Sequence, residues 1–301
     1  MQKTLAVIAP RHLWDKISSA LQPTFEVEFT PRQPRCARTI DPYQIAEIIK
    51  TQPLDTEGIL LIAPVEASPS ELLPAPVIEG KPVGIVQAET VSEISPWLNA
   101  MSQDRLAKDN RWVVLAMWKE LYLSWGNRFL DWMRQGTNGG AVEVSPWFSD
   151  LVSRDELCGM LATGPAFAVY VGHGRSRGWS GYRGLRWEHV ESLEVQKPCG
   201  VIVSLSCDTL KREKDVPSFG SRWIRLGRSC AFVGSTERLG YLPNADFALE
   251  LGQVLSTGKN RTIGELMVEV YRRLKCPPER ELGLEAFSTY RIMGNPLQPL
   301  Y

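Results

Sequence analysis

Histidine is scarce in this chain. Only His12, His173 and His189 are present, and the six cysteines (Cys36, Cys158, Cys199, Cys207, Cys230 and Cys276) include no C-x-x-C pair. A structural zinc site needs four such ligands at short spacings, so none is expected. Charge bias is missing as well: Lys+Arg and Asp+Glu each total 34, for a net charge of zero. That balance argues against a domain-wide basic footprint for nucleic acid. No apolar run approaches the ~18 residues of a membrane span, and MQKTLAVIAPRH at the N-terminus has too short an apolar stretch for a secretory signal. The expectation is therefore a cytoplasmic protein with reduced thiols and no membrane partner. What is present, 44% apolar and 23% charged residues over 301 positions, suits an ordinary globular chain of roughly two domains or one large one.

The apolar segments alternate between strand-like and helix-like patterns. Residues 4–10 read as a strand, 12–21 as an amphipathic helix and 25–29 (FEVEF) as an edge strand. A helix begins at Pro42, with Asp41 as its cap, and residues 58–64 and 82–88 read as buried strands. This order predicts a parallel α/β sheet. Residues 92–136 read as helical, with Trp97, Trp112, Trp118, Trp125 and Trp132 burying helix faces. Gly136-Thr137-Asn138-Gly139-Gly140 breaks that stretch and divides the chain into units 1–140 and 141–301. The second unit alternates in the same way. Helix 155–162, strand 166–171, a Gly-rich loop, a short helix at 187–193 and strand 201–205 come first. Helix 219–226, strand 230–233 and helices 245–255 and 262–274 follow.

Two of these strands run out into chemistry. AFAVYV ends in Gly172-His173-Gly174, and VIVSL ends in Ser206-Cys207-Asp208-Thr209. Short, continuous apolar runs suit strands covered on both faces, and in open parallel sheets ligands gather beyond the carboxyl ends of the strands. Cys207 offers a nucleophilic sulfur. His173 titrates near neutrality and can move protons. Gly174 lets the backbone approach a substrate closely, so the N–H groups of Gly174 and Cys207 form an oxyanion hole in this reading. A dinucleotide turn fits worse, because the third glycine position of G-x-G-x-x-G is Arg177.

YVGHG together with VIVSLSCDT resembles the caspase-fold cysteine peptidases of clan CD, above all their CHAT and gingipain-like branches. CAFVGSTE resembles the strand that follows the catalytic cysteine there, and YRIMGNPLQPLY resembles the Gly-Asp-Pro tail of gingipain-like domains, with Asn295 in place of the Asp. Leu210 stands where a Gly often follows the cysteine. The resemblance covers residues 150–301. It implies a caspase-like parallel-sheet sandwich with helices on both faces, a His173/Cys207 dyad and Gly174 as an oxyanion donor. It also implies that residues 1–140 form a pseudo-caspase-like α/β subdomain without catalytic residues. Metacaspases carry an Asp two residues before the cysteine to bind a basic side chain; here that position is Leu205.

The expected function is thus a cysteine endopeptidase that cleaves protein or peptide substrates through a thioester, without a cofactor. An activating protein partner or processing is expected to restrain it, in defence or signalling. Asp208, Glu237 and Asp246 are candidates for recognising a basic side chain. Trp179, Tyr182 and Trp187 either line the substrate groove or pack beneath the His loop. The alternatives are a catalytically silent interaction module and a thiol amidase or transpeptidase.

Overall fold

The structure is a computed structural model and describes residues 3–31, 35–37, 42–106, 110–137, 142–214, 216–276 and 281–301. Strand β1 (Lys3–Pro10) leads into helix α1 (Arg11–Glu28), and short strands β2 (Phe29–Pro31) and β3 (Arg35–Ala37) precede α2 (Pro42–Lys50). Next come β4 (Gly58–Ala63), α3 (Pro69–Leu72), β5 (Val77–Ile78), β6 (Lys81–Gln87), α4 (Val91–Leu106), β7 (Arg111–Ala116) and α5 (Glu120–Gly136). The middle of the chain supplies β8 (Glu143–Phe148), α6 (Arg154–Ala162) and β9 (Phe167–Val171). A small antiparallel sheet of β10 (Gly174–Arg175), β11 (Gly178–Trp179) and β12 (Leu185–Arg186) then precedes α7 (Trp187–Glu191) and β13 (Cys199–Leu205). The last elements are α8 (Phe219–Arg225), β14 (Ser229–Ser235), α9 (Tyr241–Leu255), α10 (Ile263–Lys275), α11 (Glu281–Thr289) and β15 (Tyr290–Gly294).

Twelve strands join in one sheet along the path β2-β1-β4-β6-β15-β14-β13-β9-β7-β8, with β3 and β5 pairing onto β1 and β6. Strands β1, β4, β6 and β15 are mutually parallel. So are β14, β13, β9, β7 and β8. The seam between the two blocks is the antiparallel pair β14–β15, in register from Ala231↔Gly294 to Ser235↔Tyr290. The sheet therefore consists of two parallel blocks pointing in opposite directions.

Successive side chains of the central strands feed two cores. In β9, Ala168 and Tyr170 face the core that holds Ile17 of α1, Trp97 of α4 and Trp223 of α8. Phe167, Val169 and Val171 face the other, with Phe129 of α5, Phe247 of α9 and Leu266 of α10. Burial on both faces is why β9, β13 and β14 read as unbroken apolar runs. Helix α6, which delivers the chain into β9, starts on a capping box: Ser153 Oγ accepts the Glu156 N–H, and the Glu156 carboxylate accepts the Ser153 N–H at 2.8 Å. No helix among the described residues is long and apolar enough to cross a membrane.

The fold is mixed α/β, mostly parallel, with helices on both faces, as expected. Two local expectations need correcting. Residues 25–29 do not form an edge strand, since α1 continues to Glu28; five alternating residues are too few to exclude a helical period. Residues 92–136 are not helical throughout, because RWVVLA forms β7 between α4 and α5. Of the tryptophans there, Trp97 and Trp112 are buried, while Trp118 is 54% exposed. Strand pairing also runs across the division expected at residue 140. Strand β7 pairs with β9, so the block that carries His173 already includes residues 111–116. Asp41, the expected cap of α2, and Asn138, Gly139 and Gly140 of the expected boundary lie outside the described residues.

Candidate active site

Strands β9 and β13 are neighbours, with Val171 paired to Leu205. His173 and Cys207 each lie two residues beyond that pair, so equal offsets bring them out side by side at one carboxyl edge of the sheet. The His loop is held from below. The Tyr170 hydroxyl donates to the His173 carbonyl at 3.0 Å, and the Ser180 N–H donates to it at 2.9 Å. Gly174 fills the narrow space between the loops: a Cβ there would collide with the Cys207 carbonyl oxygen and Ser206 Oγ. Beneath it runs a buried polar chain, Trp179 Nε1 to Ser204 Oγ at 2.8 Å and Ser204 Oγ to Ser206 Oγ at 2.8 Å.

His173 and Cys207 line one cleft of about 110 Å³, room for several waters. Val171, Gly172 and Leu205 form its floor, Tyr122 and Trp125 of α5 one wall. The segment from Leu239 to Ala248, which opens α9, forms the other. Trp125 Nε1 donates to the Tyr241 hydroxyl at 3.2 Å and ties the two walls together. The Tyr122 hydroxyl lies 3.2 Å from His173 Nδ1 and 3.3 Å from Nε2, within reach of whichever nitrogen is unprotonated. The Leu239 N–H points at Cys207 Sγ from 3.4 Å, and the thiol faces the Leu239 carbonyl at 3.5 Å, which fixes the sulfur's position. The loop after the cysteine is pinned by Asp208 N–H to Glu237 O at 3.1 Å and Leu210 N–H to Ser235 O at 2.8 Å. The Cys207 N–H itself donates to no group among the described residues.

The electrostatics are one-sided. Partial burial, and then the charges of Lys119, Arg175 and Arg238, hold the His173 imidazole below its ordinary pKa. Burial, followed by the proximity of Cys207 and Tyr241, pushes the Tyr122 phenol up, so it remains a hydrogen-bond donor. Tyr290 is raised well above the ordinary tyrosine value, by burial first and Cys207 second.

The other site residues expected from sequence, Gly174 included, are not among those that line the cleft. Trp179 is 1% exposed and stacks on Tyr170 with ring centroids 4.3 Å apart. Tyr182 is equally buried, at a positive φ of 57°, and its hydroxyl donates to the Trp147 carbonyl. Both belong to the packing under the His loop. Trp187 stacks against the Arg222 guanidinium at 3.9 Å. Asp208, also at positive φ, faces Lys211 at 3.8 Å, and burial pushes its carboxyl up. Asp246 Oδ2 accepts the Gly283 N–H at 2.8 Å. Glu237 is exposed. None of these six lines the cleft. The sequence reading missed Tyr122, Trp125 and the Leu239–Ala248 wall.

Residues 94–301, more than half of the chain, match peptidase family C25. The chain belongs to that family. No curated protein sequence matches it. Among solved structures, the C25 chain is similar to the Arg-specific cysteine proteinase gingipain R, at TM-score 0.73 and 14% identity over 99% of this chain and 78% of that one. The complex of the Porphyromonas gingivalis RgpB pro- and mature domains gives 0.72 and 14% over 98% and 79%. The Saccharomyces cerevisiae separase–securin complex gives 0.54 and 16% over 85% of this chain but only 16% of that chain. Identities this low show a shared fold, the caspase-like one expected from the His-Gly and Ser-Cys strand ends.

Proposed function

We propose that the protein is a cysteine endopeptidase in which Cys207 is the nucleophile and His173 moves the protons. The observation that carries this reading is the convergence of the two side chains on one cleft at the edge shared by β9 and β13; membership of family C25 supports it. Neutral at rest because of its burial and the cations around it, His173 takes the thiol proton as Cys207 Sγ attacks the scissile carbonyl. The Cys207 N–H, with that of Gly174, stabilises the oxyanion. The imidazolium then protonates the leaving amine, the thioester forms, and water hydrolyses it. A base held at a low pKa becomes a strong acid once protonated, which suits the second half of this cycle. No cofactor enters these steps.

Restraint of this activity by a protein partner or by processing is part of the proposal. A complex of pro- and mature domains exists for the structurally similar RgpB. The setting is a reducing cytoplasm, in defence or signalling, as the CHAT-like likeness of the strand ends suggests. Cys158, Cys207 and Cys276 form no disulfide among the described residues.

Hydrolysis of an unfolded protein such as reduced casein tests the reading. Cys207→Ala should abolish turnover, and His173→Ala should lower it by about 10²–10⁴-fold while the far-UV spectrum stays unchanged. Turnover that survives Cys207→Ala sinks the mechanism. Full-rate cleavage of a diverse peptide library by the purified chain alone sinks the restraint.

A further inference from the structure

We infer that the cleft beside Cys207 is a specificity pocket for an uncharged, apolar side chain on the residue preceding the scissile bond, and that it rejects arginine and lysine. This rests on the endopeptidase reading above. It runs against the preference named for gingipain R, an Arg-specific proteinase.

The lining carries the inference. A pocket that selects a cationic side chain needs a carboxylate within reach, because a buried cation without a partner loses its hydration uncompensated. No Asp or Glu is among the described residues that line this cleft. Its floor is Val171 and Leu205, the last residues of two buried strands, 5% and 1% exposed. Its walls are Tyr122, Trp125, Leu239 and the small side chains Ala245 and Ala248. Three side-chain oxygens of the lining are already engaged: the Tyr122 hydroxyl with His173, the Tyr241 hydroxyl with Trp125, and Asn244 Oδ1 with the Tyr290 hydroxyl at 2.6 Å.

The neighbouring carboxylates lie outside that lining: Asp246 holds the Gly283 N–H, Asp208 faces Lys211 at 3.8 Å, and Glu237 is exposed. The charges that do bear on the cleft are positive. Lys119, Arg175 and Arg238 all oppose protonation of His173, and Arg238 also acts on Asp208. A guanidinium entering here would meet these like charges and no carboxylate among the described lining residues. Of the lining residues, Tyr241 at the start of α9 is 49% exposed and presents an apolar ring to an incoming peptide.

Four peptidyl acyloxymethyl ketones identical except for Leu, Phe, Arg or Asp at the position before the reactive carbon provide the test. Intact mass gives the rate of alkylation, and Cys207→Ala gives the blank. The Leu or Phe probe should react at least about tenfold faster than the Arg probe, a discrimination of the size one apolar pocket supplies. Asn244→Asp keeps the acceptor for Tyr290 and introduces a carboxylate; Ala245→Asp introduces one on the adjacent position. Either variant, shown to melt near the wild type, should narrow or reverse the Leu/Arg ratio. Fastest reaction with the Arg probe overturns the apolar pocket and leaves the peptidase reading standing. Alkylation of Cys207 by iodoacetamide with no reaction toward any peptidyl probe overturns both.

Discussion

Tyr122 and His173 form a pair whose behaviour follows from their surroundings. The phenol is kept protonated by burial and by the neighbouring sulfur, and it sits within hydrogen-bond distance of the imidazole. Tyr122→Phe removes that donor and one wall's polar atom without removing the ring. It should lower kcat/KM by about tenfold, as loss of one hydrogen bond to a reacting group does, and leave the melting temperature nearly unchanged. His173 offers a second measurement. Burial, Lys119, Arg175 and Arg238 each disfavour its charged form, so its titration midpoint in the folded protein lies below the ordinary value of about 6.5. The unfolded chain takes up that proton first as pH falls, so this group lowers stability as pH drops below the unfolded value. Following the His173 ring proton by NMR in Cys207→Ala should give the depressed midpoint, and Arg238→Gln should raise it. A midpoint that Arg238→Gln leaves in place would show that the charge does not reach the ring.

At the scale of elements, the pairing of β9 with β13 does most to assemble the site. In a parallel pair, residues at equal offsets beyond a paired position emerge together, and Val171↔Leu205 places His173 and Cys207 in that relation. This part was legible in the sequence, because doubly buried strands announce themselves as continuous apolar runs. The walls were not. Tyr122 follows a strand that the Trp- and Leu-rich context of residues 92–136 disguises as helix, so nothing in the pattern brought it to the same edge. The far wall starts at Leu239, well past Cys207 in the chain, where only the three-dimensional return of β14 makes it a neighbour. Trp179 and Tyr182 are close to His173 in sequence, but β11 folds back beneath the loop and buries both. Gly174→Ala tests the assembly: the added methyl meets the Cys207 carbonyl and Ser206 Oγ. It should cut activity by about 10²-fold, the scale of an ångström's misplacement, with a lower melting temperature. Ser153→Ala, far from the cleft, should cost about 1 kcal/mol of stability through the lost cap of α6 with no change in peptidase rate.

At the scale of the whole molecule, two oppositely directed blocks share one sheet through a single antiparallel seam. Strand β15 supplies that seam, pairing β14 on one side and β6 on the other. Its start also touches the cleft: Tyr290 donates to Asn244, and the Thr289 hydroxyl meets Ser235 Oγ at 2.9 Å. Gly294, at φ 88°, approaches the Cys230 carbonyl too closely for any side chain. Because the sheet is continuous, unfolding should be a single cooperative transition with equal calorimetric and van't Hoff enthalpies. Ile292→Ala, at a fully buried seam position, should lower that one transition by about 2–5 kcal/mol. Two separated transitions in the calorimeter would mean that the blocks are held by something weaker than a shared sheet.

The placement of β15 has a consequence for how the protein is made. Every other strand among the described residues precedes it, so during synthesis the open edges of β6 and β14 wait, unpaired, until residues 290–294 emerge. Bare edges of that kind invite pairing with other chains, which makes the nascent sheet dependent on the prompt arrival of β15. The same delay reaches the cleft: until residue 290 emerges, the wall that Asn244 belongs to lacks the Tyr290 hydroxyl that braces it.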